Sequence, residues 1–415
     1  MTNKNKFILY CIFLFSFSAK LFAQSEQALP ANPAVSDTLR KQQDSLASQR
    51  DIIDYLHKLF HKKGSQPINP ITKRFNYSVV PSAGYTLSTG LAASLTGNVA
   101  WFAEPLQHEN LSSVISILSY NQKSQLTFRI ISNVWSKDND YNFVGDFRLY
   151  KFPENTYGLG SLTSLDELNP MKYNFVRFYE TVLKKLEKNF YGGLGYNLDY
   201  HYDIMENGKP NQSVTDYQIY GKTTTSVSSG IAFNLLYDNR KNSINARNGT
   251  YVNLIYRPDL KLLGSDTNWQ LLSFDFRKYI PLTTSGKSVL AFWTLENFTL
   301  SGQPPYFDLP STGWDMAGNT GRGYAQGRFR GKNMLYAETE YRFDLTNNGF
   351  FGGVLFVNGE TFSDYPNNRF QKVIPGYGPG LRIKFNKRSA TNICIDYGFG
   401  INGSHGLFVN LGEVF

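Results

Sequence analysis

The sequence predicts an all-β fold: a sixteen-stranded antiparallel transmembrane β-barrel with a short N-terminal helical extension. Three observations predict it. From residue 75 onward the chain repeats one device, an alternating apolar and polar stretch followed by a turn or a polar loop. A period of two places successive side chains on opposite faces of a strand. The composition suits strands that meet lipid, with 32 Phe, 27 Tyr and 35 Gly, and charged residues at only 18%, against roughly 25% in an average soluble protein. Finally, the chain opens on a segment with the features of a secretory signal and closes on an aromatic stretch ending at Phe415.

The N-terminal elements come first. Lys4 and Lys6 precede an apolar stretch of 11 residues from Phe7 to Phe17. That is too short to span a bilayer and reads as a signal peptide over 1–23. Cleavage after Ala23 takes three lysines and no acid, lowering the net charge from +9 to +6. The remaining charge forms no dense basic block, so no nucleic-acid partner is expected. Of the 2 cysteines only Cys394 then remains, which rules out an intrachain disulfide. No run of about 20 apolar residues is present, which excludes a polytopic helical membrane protein.

Residues 24–74 read as a periplasmic linker and an amphipathic helix. Ser36 and Asp37 suit a helix start. Leu39, Leu46, Ile53, Leu56 and Phe60 share one helical face, and Lys58, Lys62 and Lys63 suit the C-terminal end. Gly64, Pro67 and Pro70 end the helix, placing it over 36–63. The face is read first as packing on the protein itself, with a partner or a membrane surface as alternatives. Mixed charges (Asp44, Asp51 and Asp54 beside Arg40 and Arg50) weigh against the membrane surface.

The barrel is assigned to 75–415. Strands are expected near 75–87, 91–102, 111–120, 124–136, 140–152, 171–185, 190–203 and 223–238. The others are expected near 250–257, 269–279, 288–299, 333–344, 350–360, 377–385, 391–399 and 406–415. Sixteen is an even number, as a barrel with both ends on one side requires. In 335–343, Leu335, Ala337, Thr339, Tyr341 and Phe343 alternate with Tyr336, Glu338, Glu340 and Arg342. In a membrane barrel the first set faces lipid and the second a polar lumen. With both ends periplasmic, the short connections 345–349 and 387–390 fall on the periplasmic side and the long one, 301–332, outside. Leu407, Val409, Leu411 and Phe415 lie on one face of the terminal stretch, interrupted by Glu413. Gly406, Leu411 and Phe415 read together as a barrel sorting signal.

Four ordered motifs then carry a resemblance. Tyr237-Asp-Asn-Arg240 through Asn248-Gly249-Thr250-Tyr251 resembles the D-x-R … P-R-x-G-T-Y turn of the BamA/TamA family, also called the bacterial surface antigen family. Gly321, Arg322, Gly323 and Tyr324 are similar to its R-G-(F/Y) loop motif. Gly327 to Asn333, leading to Glu340 and Phe343, is similar to its next strand. Asp396 to Gly400, with Gly406 and Phe415, resembles its last hairpin. The match covers 230–415 by motif and 75–229 by strand pattern.

The resemblance implies an outer-membrane barrel with the long loop folded into its lumen. It also implies that Arg322 contacts acidic side chains of the two following strands, with Glu340 as one partner. The family's F-x-D-x-G corresponds to Phe356 through Glu360. Asn358 stands for the aspartate as a hydrogen-bond acceptor, and Glu360 stands in the glycine's place as a possible source of charge. The expected function is to assist insertion or translocation of outer-membrane or surface proteins. The expected partners are outer-membrane lipid, barrel-assembly machinery and client outer-membrane proteins. The alternative is a passive structural barrel or a narrow pore. Residues 24–74 show one helix and no clear strands, so no POTRA module is expected there.

Enzymatic chemistry is not expected. No G-x-S-x-G elbow occurs, and Gly158-Leu-Gly160 lacks the Lys-Ser/Thr of a phosphate cradle. His57 and His61 sit four apart without a third ligand, so neither metal nor cofactor is assigned.

Overall fold

The computed structural model describes residues 48–52, 54–55, 75–103, 110–283, 286–387 and 389–415. The expected signal peptide, the histidine pair and most of the expected helix over 36–63 lie outside the described residues. The chain divides into two units, 1–48 and 49–415, and Ser48 is the described part of the first.

The second unit holds sixteen strands paired in sequence order, each antiparallel to the next. The first eight are β1 (Phe75–Thr86), β2 (Gly90–Trp101), β3 (Ser112–Asn121), β4 (Leu126–Trp135), β5 (Tyr141–Thr156), β6 (Asn169–Glu187), β7 (Phe190–Glu206) and β8 (Thr225–Asp238). The others are β9 (Gly249–Asp259), β10 (Trp269–Pro281), β11 (Ser288–Gly302), β12 (Asn333–Asp344), β13 (Phe351–Phe362), β14 (Ile374–Asn386), β15 (Thr391–Phe399) and β16 (His405–Leu411). Each of the sixteen segments expected from alternation becomes a strand. β5, β6 and β7 are longer than expected, at 16, 19 and 17 residues. About 9–11 tilted residues span a bilayer, so these three project beyond it. They pair along nearly their full lengths.

Directly opposed residues share a face, so the inside can be traced from strand to strand. Glu340 lies opposite Ala291 on β11 and Phe356 on β13, and Glu338 lies opposite Trp293 and Asn358. All of these are buried. Tyr341 and Leu355 pair on the exposed, outward face. An apolar outside around a polar inside is the arrangement of a barrel in lipid. The end carrying Phe75 and Leu411 has mostly short connections, such as 188–189, 345–350 and 387–390. The opposite end has the longer ones, 157–168, 207–224 with helix α1 (Asp216–Gly221), and 303–332.

Among the described residues no ladder joins β16 back to β1, so the barrel is nearly closed. The two edges still approach each other closely at two glycines. A Cβ at Gly84 would lie 3.6 Å from that of Val409, and one at Gly406 would strike Leu87. Gly84 has the inward parity of β1 and Val409 the outward parity of β16. The edges therefore overlap instead of lying side by side.

β16 ends at Leu411 and does not continue to 415, which corrects the expected terminal strand. Continued strand parity would put Glu413 and Phe415 on the outward, lipid face. The chain turns at Gly412, in the left-handed region with φ 98°, where glycine carries no steric cost. Glu413 then reaches Arg382 in the lumen at 2.7 Å.

Two further segments gather at the end that carries Phe75 and Leu411. The 239–248 connection crosses the mouth, with Asn242 and Asn245 Nδ2 donating to Ser389 and Ala390 carbonyls at 3.2 and 3.1 Å. Arg50, Asp51 and Asp54 dock on the rim. Arg50 N donates to Asn348 O at 3.1 Å and Lys387 Nζ to Asp54 Oδ2 at 2.7 Å. Partial burial opposes ionisation of Asp54, but the hydrogen bond and charge of Lys387 outweigh it and hold this carboxyl below its ordinary range.

Candidate functional site

The connection 303–332 turns back into the barrel, and its anchors run around most of the wall. Arg330 Nη2 pairs with Glu154 of β5 at 3.2 Å, and Trp314 Nε1 donates to the same carboxylate at 3.2 Å. The Met316 carbonyl accepts from Arg148 of β5 at 3.1 Å and from Arg129 of β4. Ser228 of β8 donates to Asp308 at 2.5 Å, and Asn410 of β16 to Asn319 at 3.0 Å. None of these anchors falls on β1, β2 or β3. Their inward positions carry no charge; they include Ser82, Thr86, Ser94, Thr96 and Ser119, with Val80, Ile115 and Ile117 among them.

The Gly-Arg-Gly-Tyr group sits against the wall formed by β12 to β15. Gly321 and Gly323 both have positive φ, 75° and 116°. A Cβ at Gly323 would lie 2.8 Å from the Phe399 carbonyl oxygen, so only glycine lets the loop approach β15 this closely. The Gly323 carbonyl accepts from Ser404 Oγ at 2.7 Å. Tyr324 Oη donates to the Pro375 carbonyl at 2.5 Å and accepts from Ile401 N at 2.9 Å. The tyrosine thus fastens the loop to both flanks of the β14–β15 wall.

Between the glycines, Arg322 is 1% exposed. Its Nη2 pairs with both Glu338 and Glu340 of β12, and its Nη1 with Asp396 of β15 at 2.5 Å. The guanidinium lies over the Phe356 ring, 3.7 Å from the centroid. The planar fork of arginine suits this division of donors between two walls. The cluster extends sideways. Arg342 pairs with Glu340 at 2.5 Å, and Arg382 pairs with Asp396 and Glu413. Three guanidinium groups and four carboxylates therefore interlock inside the lumen.

The sequence-derived site residues are placed as follows. Arg322 and Glu340 are in contact. Asn358 does not accept from the arginine side chain; its Nδ2 donates to the Arg322 carbonyl at 3.1 Å. Glu360 supplies no charge to Arg322 and accepts from Thr312 Oγ1 at 2.9 Å. It lies two residues further along β13, beside Gly321 and not beside the guanidinium. The second wall that holds Arg322 is β15, through Asp396. Sequence reasoning missed Glu338 and Asp396 as ligands of the arginine. Glu338 was legible in principle, since it shares the inward parity of Glu340. Asp396 lies 74 residues from Arg322 in the chain, and nothing local signals that pairing.

Phe415 is buried in the lumen against Trp293 and Tyr279, with ring centroids 5.3 and 6.1 Å away. Arg342 stacks on its ring at 4.8 Å and donates to its carbonyl oxygen at 3.0 Å. Phe415→Ala is expected to destabilise the folded barrel by about 3 kcal/mol, as for other buried phenylalanines. The readout is the temperature at which the compact electrophoretic form converts to the unfolded one. An unchanged conversion temperature would show that the ring contributes no packing energy.

Residues 85–405 match the Omp85 superfamily domain. No curated protein matches the sequence. Among solved structures the chain is similar to BamA from Haemophilus ducreyi lacking POTRA domains 1–3, with 16% identity, TM-score 0.52, and 94% of this chain and 80% of that one covered. It is similar to CdiB from Acinetobacter baumannii at 13% identity and TM-score 0.54, covering 82% of this chain and 60% of that one. For CdiB from Escherichia coli the identity is 11% and the TM-score 0.55, over 84% of this chain and 64% of that one.

Proposed function

Since the chain belongs to the Omp85 superfamily, we propose that it is a bacterial outer-membrane barrel that assists insertion or translocation of polypeptide through a movable seam between β1 and β16. The observation that carries this reading is the seam itself. Its edges overlap without a ladder, and an unpaired strand edge is a template for an incoming strand. A second observation supports it. The long loop is anchored from β4 round to β16, whereas β1–β3 have uncharged inward faces and carry none of those anchors. Those strands can swing outward without breaking the arginine cluster. Clients would be unfolded outer-membrane or surface proteins, and barrel-assembly machinery is the expected partner. In this reading Gly406, Leu411 and Phe415 act as a sorting signal before the tail folds inward. Arg322, with Glu338, Glu340 and Asp396, holds the loop as a fixed wall.

The second reading is a passive narrow pore, favoured by the uncharged inward faces of β1–β3, which carry serine and threonine hydroxyls beside apolar side chains. A cross-link separates the two. Gly84→Cys with Val409→Cys places the Cβ atoms near 3.6 Å, within disulfide range. Cys394, the remaining described cysteine, is buried and is replaced by serine in the same protein. In vesicles, oxidation is expected to abolish assisted folding of an added unfolded barrel protein, and reduction to restore it. Unchanged assistance in the oxidised form rules out the seam mechanism.

A further inference from the structure

The outer wall carries a carboxylate where lipid should be. Strand parity puts Val176, Phe178, Glu180 and Val182 of β6 on the outward face. Glu180 lies opposite Gly145 on β5 and Tyr196 on β7. Its outward neighbours include Phe143 and Phe147 on β5 and Leu194 on β7, so it interrupts an apolar band. It has no hydrogen-bond or ion-pair partner among the described residues. Two further carboxylates reach the outer side of a strand: Asp203 of β7, which accepts from Asn174 Nδ2 at 3.0 Å, and Glu296 of β11, which lies opposite Leu335, two residues from the end of β12. Glu180 lies seven residues from the nearer end of β6, within the paired part of the wall. A charge facing hydrocarbon is costly, and such residues mark sites of interaction.

The wall beside Glu180 is also shaped. Gly145 leaves a notch. A Cβ built there would lie 2.5 Å from Ser132 Oγ and 2.7 Å from Glu180 Oε2. A hydroxyl and a carboxylate therefore converge over a glycine, with aromatic and aliphatic side chains around them. The pair offers acceptor oxygens to a donor arriving from the membrane. A lysine ammonium or an arginine guanidinium satisfies both the charge and the lone pairs.

We propose that Glu180, Ser132 and Gly145 form a docking notch for a membrane-embedded segment of a second protein that presents a lysine or arginine at this depth. A second copy of this chain does not fit. A closed two-fold dimer in a membrane has its axis along the bilayer normal, which brings Glu180 to the depth of its own equivalent and opposes like charges. The notch goes beyond the seam mechanism, because it lies on β5 and β6, away from β1 and β16, and needs only that the barrel sits in lipid.

The test uses the full protein in phosphatidylcholine vesicles with two fluorescent transmembrane peptides. They are identical apart from one position at the depth of Glu180, which is lysine in one and leucine in the other. Energy transfer from the barrel to each peptide measures association. The lysine peptide is expected to associate at least about tenfold more strongly than the leucine peptide. Glu180→Gln is expected to remove that difference. Gly145→Val, which fills the notch and keeps the carboxylate, is expected to reduce it. Both variants lie on the outer wall and are checked for the compact electrophoretic form. Equal association of the two peptides, or a lysine preference that survives Glu180→Gln, overturns the proposal. The seam cross-link leaves this assay unaffected, so the two proposals fail separately.

Discussion

Replacing Arg322 with alanine is expected to unseat the long loop while leaving the sixteen strands paired. The side chain is buried and supplies donors to Glu338, Glu340 and Asp396. Removing one partner of a buried ion pair typically costs about 3–5 kcal/mol, because the other charge is left without compensation. A surface pair is worth at most about 1 kcal/mol, the scale of a solvent-filled lumen. Burial places Arg322 in the stronger regime. The loop should become cleavable by added protease, and the conversion temperature should fall. Arg322→Lys should not rescue, since one ammonium cannot divide its donors between β12 and β15 as the guanidinium does. The informative partner is Glu338. Glu340→Ala also strands Arg342, so its effect mixes two contacts. Glu338 pairs with Arg322 alone among the cations. In a cycle of Arg322→Ala and Glu338→Ala, the double variant should be clearly less destabilised than the sum of the singles. Full additivity would falsify the contact.

The second large effect comes from a residue with no functional group. Gly398 of β15 lies directly behind the loop. A Cβ there would sit 2.6 Å from Gly323 N and 2.9 Å from Gly323 Cα. These are backbone atoms and cannot rotate away. Gly398→Val should expel the Gly321–Tyr324 segment from its seat, losing the Arg322 contacts and the Tyr324 hydrogen bonds together. Overpacking costs about 1–3 kcal/mol in an ordinary core, and the lost ion pairs add to this. The strand itself tolerates valine, since β15 is otherwise rich in β-branched and aromatic residues. The same substitution in a protein lacking 312–328 should therefore be nearly neutral. Destabilisation that persists in the shortened protein would place the clash in the sheet instead.

These two residues also show what was legible in the sequence. Strand number and order followed from alternation, because each strand advertises a lipid face and a lumen face locally. The Arg322–Glu340 relation came through the family resemblance, with inward parity as support. The closeness of Gly398 to Gly323 was not legible. A glycine in a strand has many causes, and only the folded loop shows which atom occupies the missing side chain's space. The tail was misread for a related reason. Leu407, Val409 and Leu411 have outward parity, and extending it to Phe415 is natural. A single positive-φ glycine at 412 breaks the parity and sends Phe415 inside. Glu413, whose continued parity would face lipid, was the sequence signal that the strand stops. Glu180 went unremarked because one acid in an apolar stretch breaks no pattern until the outer wall is traced across β5 and β7.

The strap across the mouth has a temporal meaning. Its two amide hydrogen bonds join residues separated by 147 and 145 positions, Asn242 to Ser389 and Asn245 to Ala390. Closing so long a loop costs chain entropy before any contact repays it. The strap cannot form until the β14–β15 hairpin exists, so it is made late, after most of the wall has paired. It therefore reports completion. A chain stopped before β14 can pair its earlier strands, yet Asn242 and Asn245 find no acceptors and the mouth stays open. Protection of the 239–248 connection from protease should thus appear last among the turns during refolding, marking the moment at which an assembling barrel becomes a finished one.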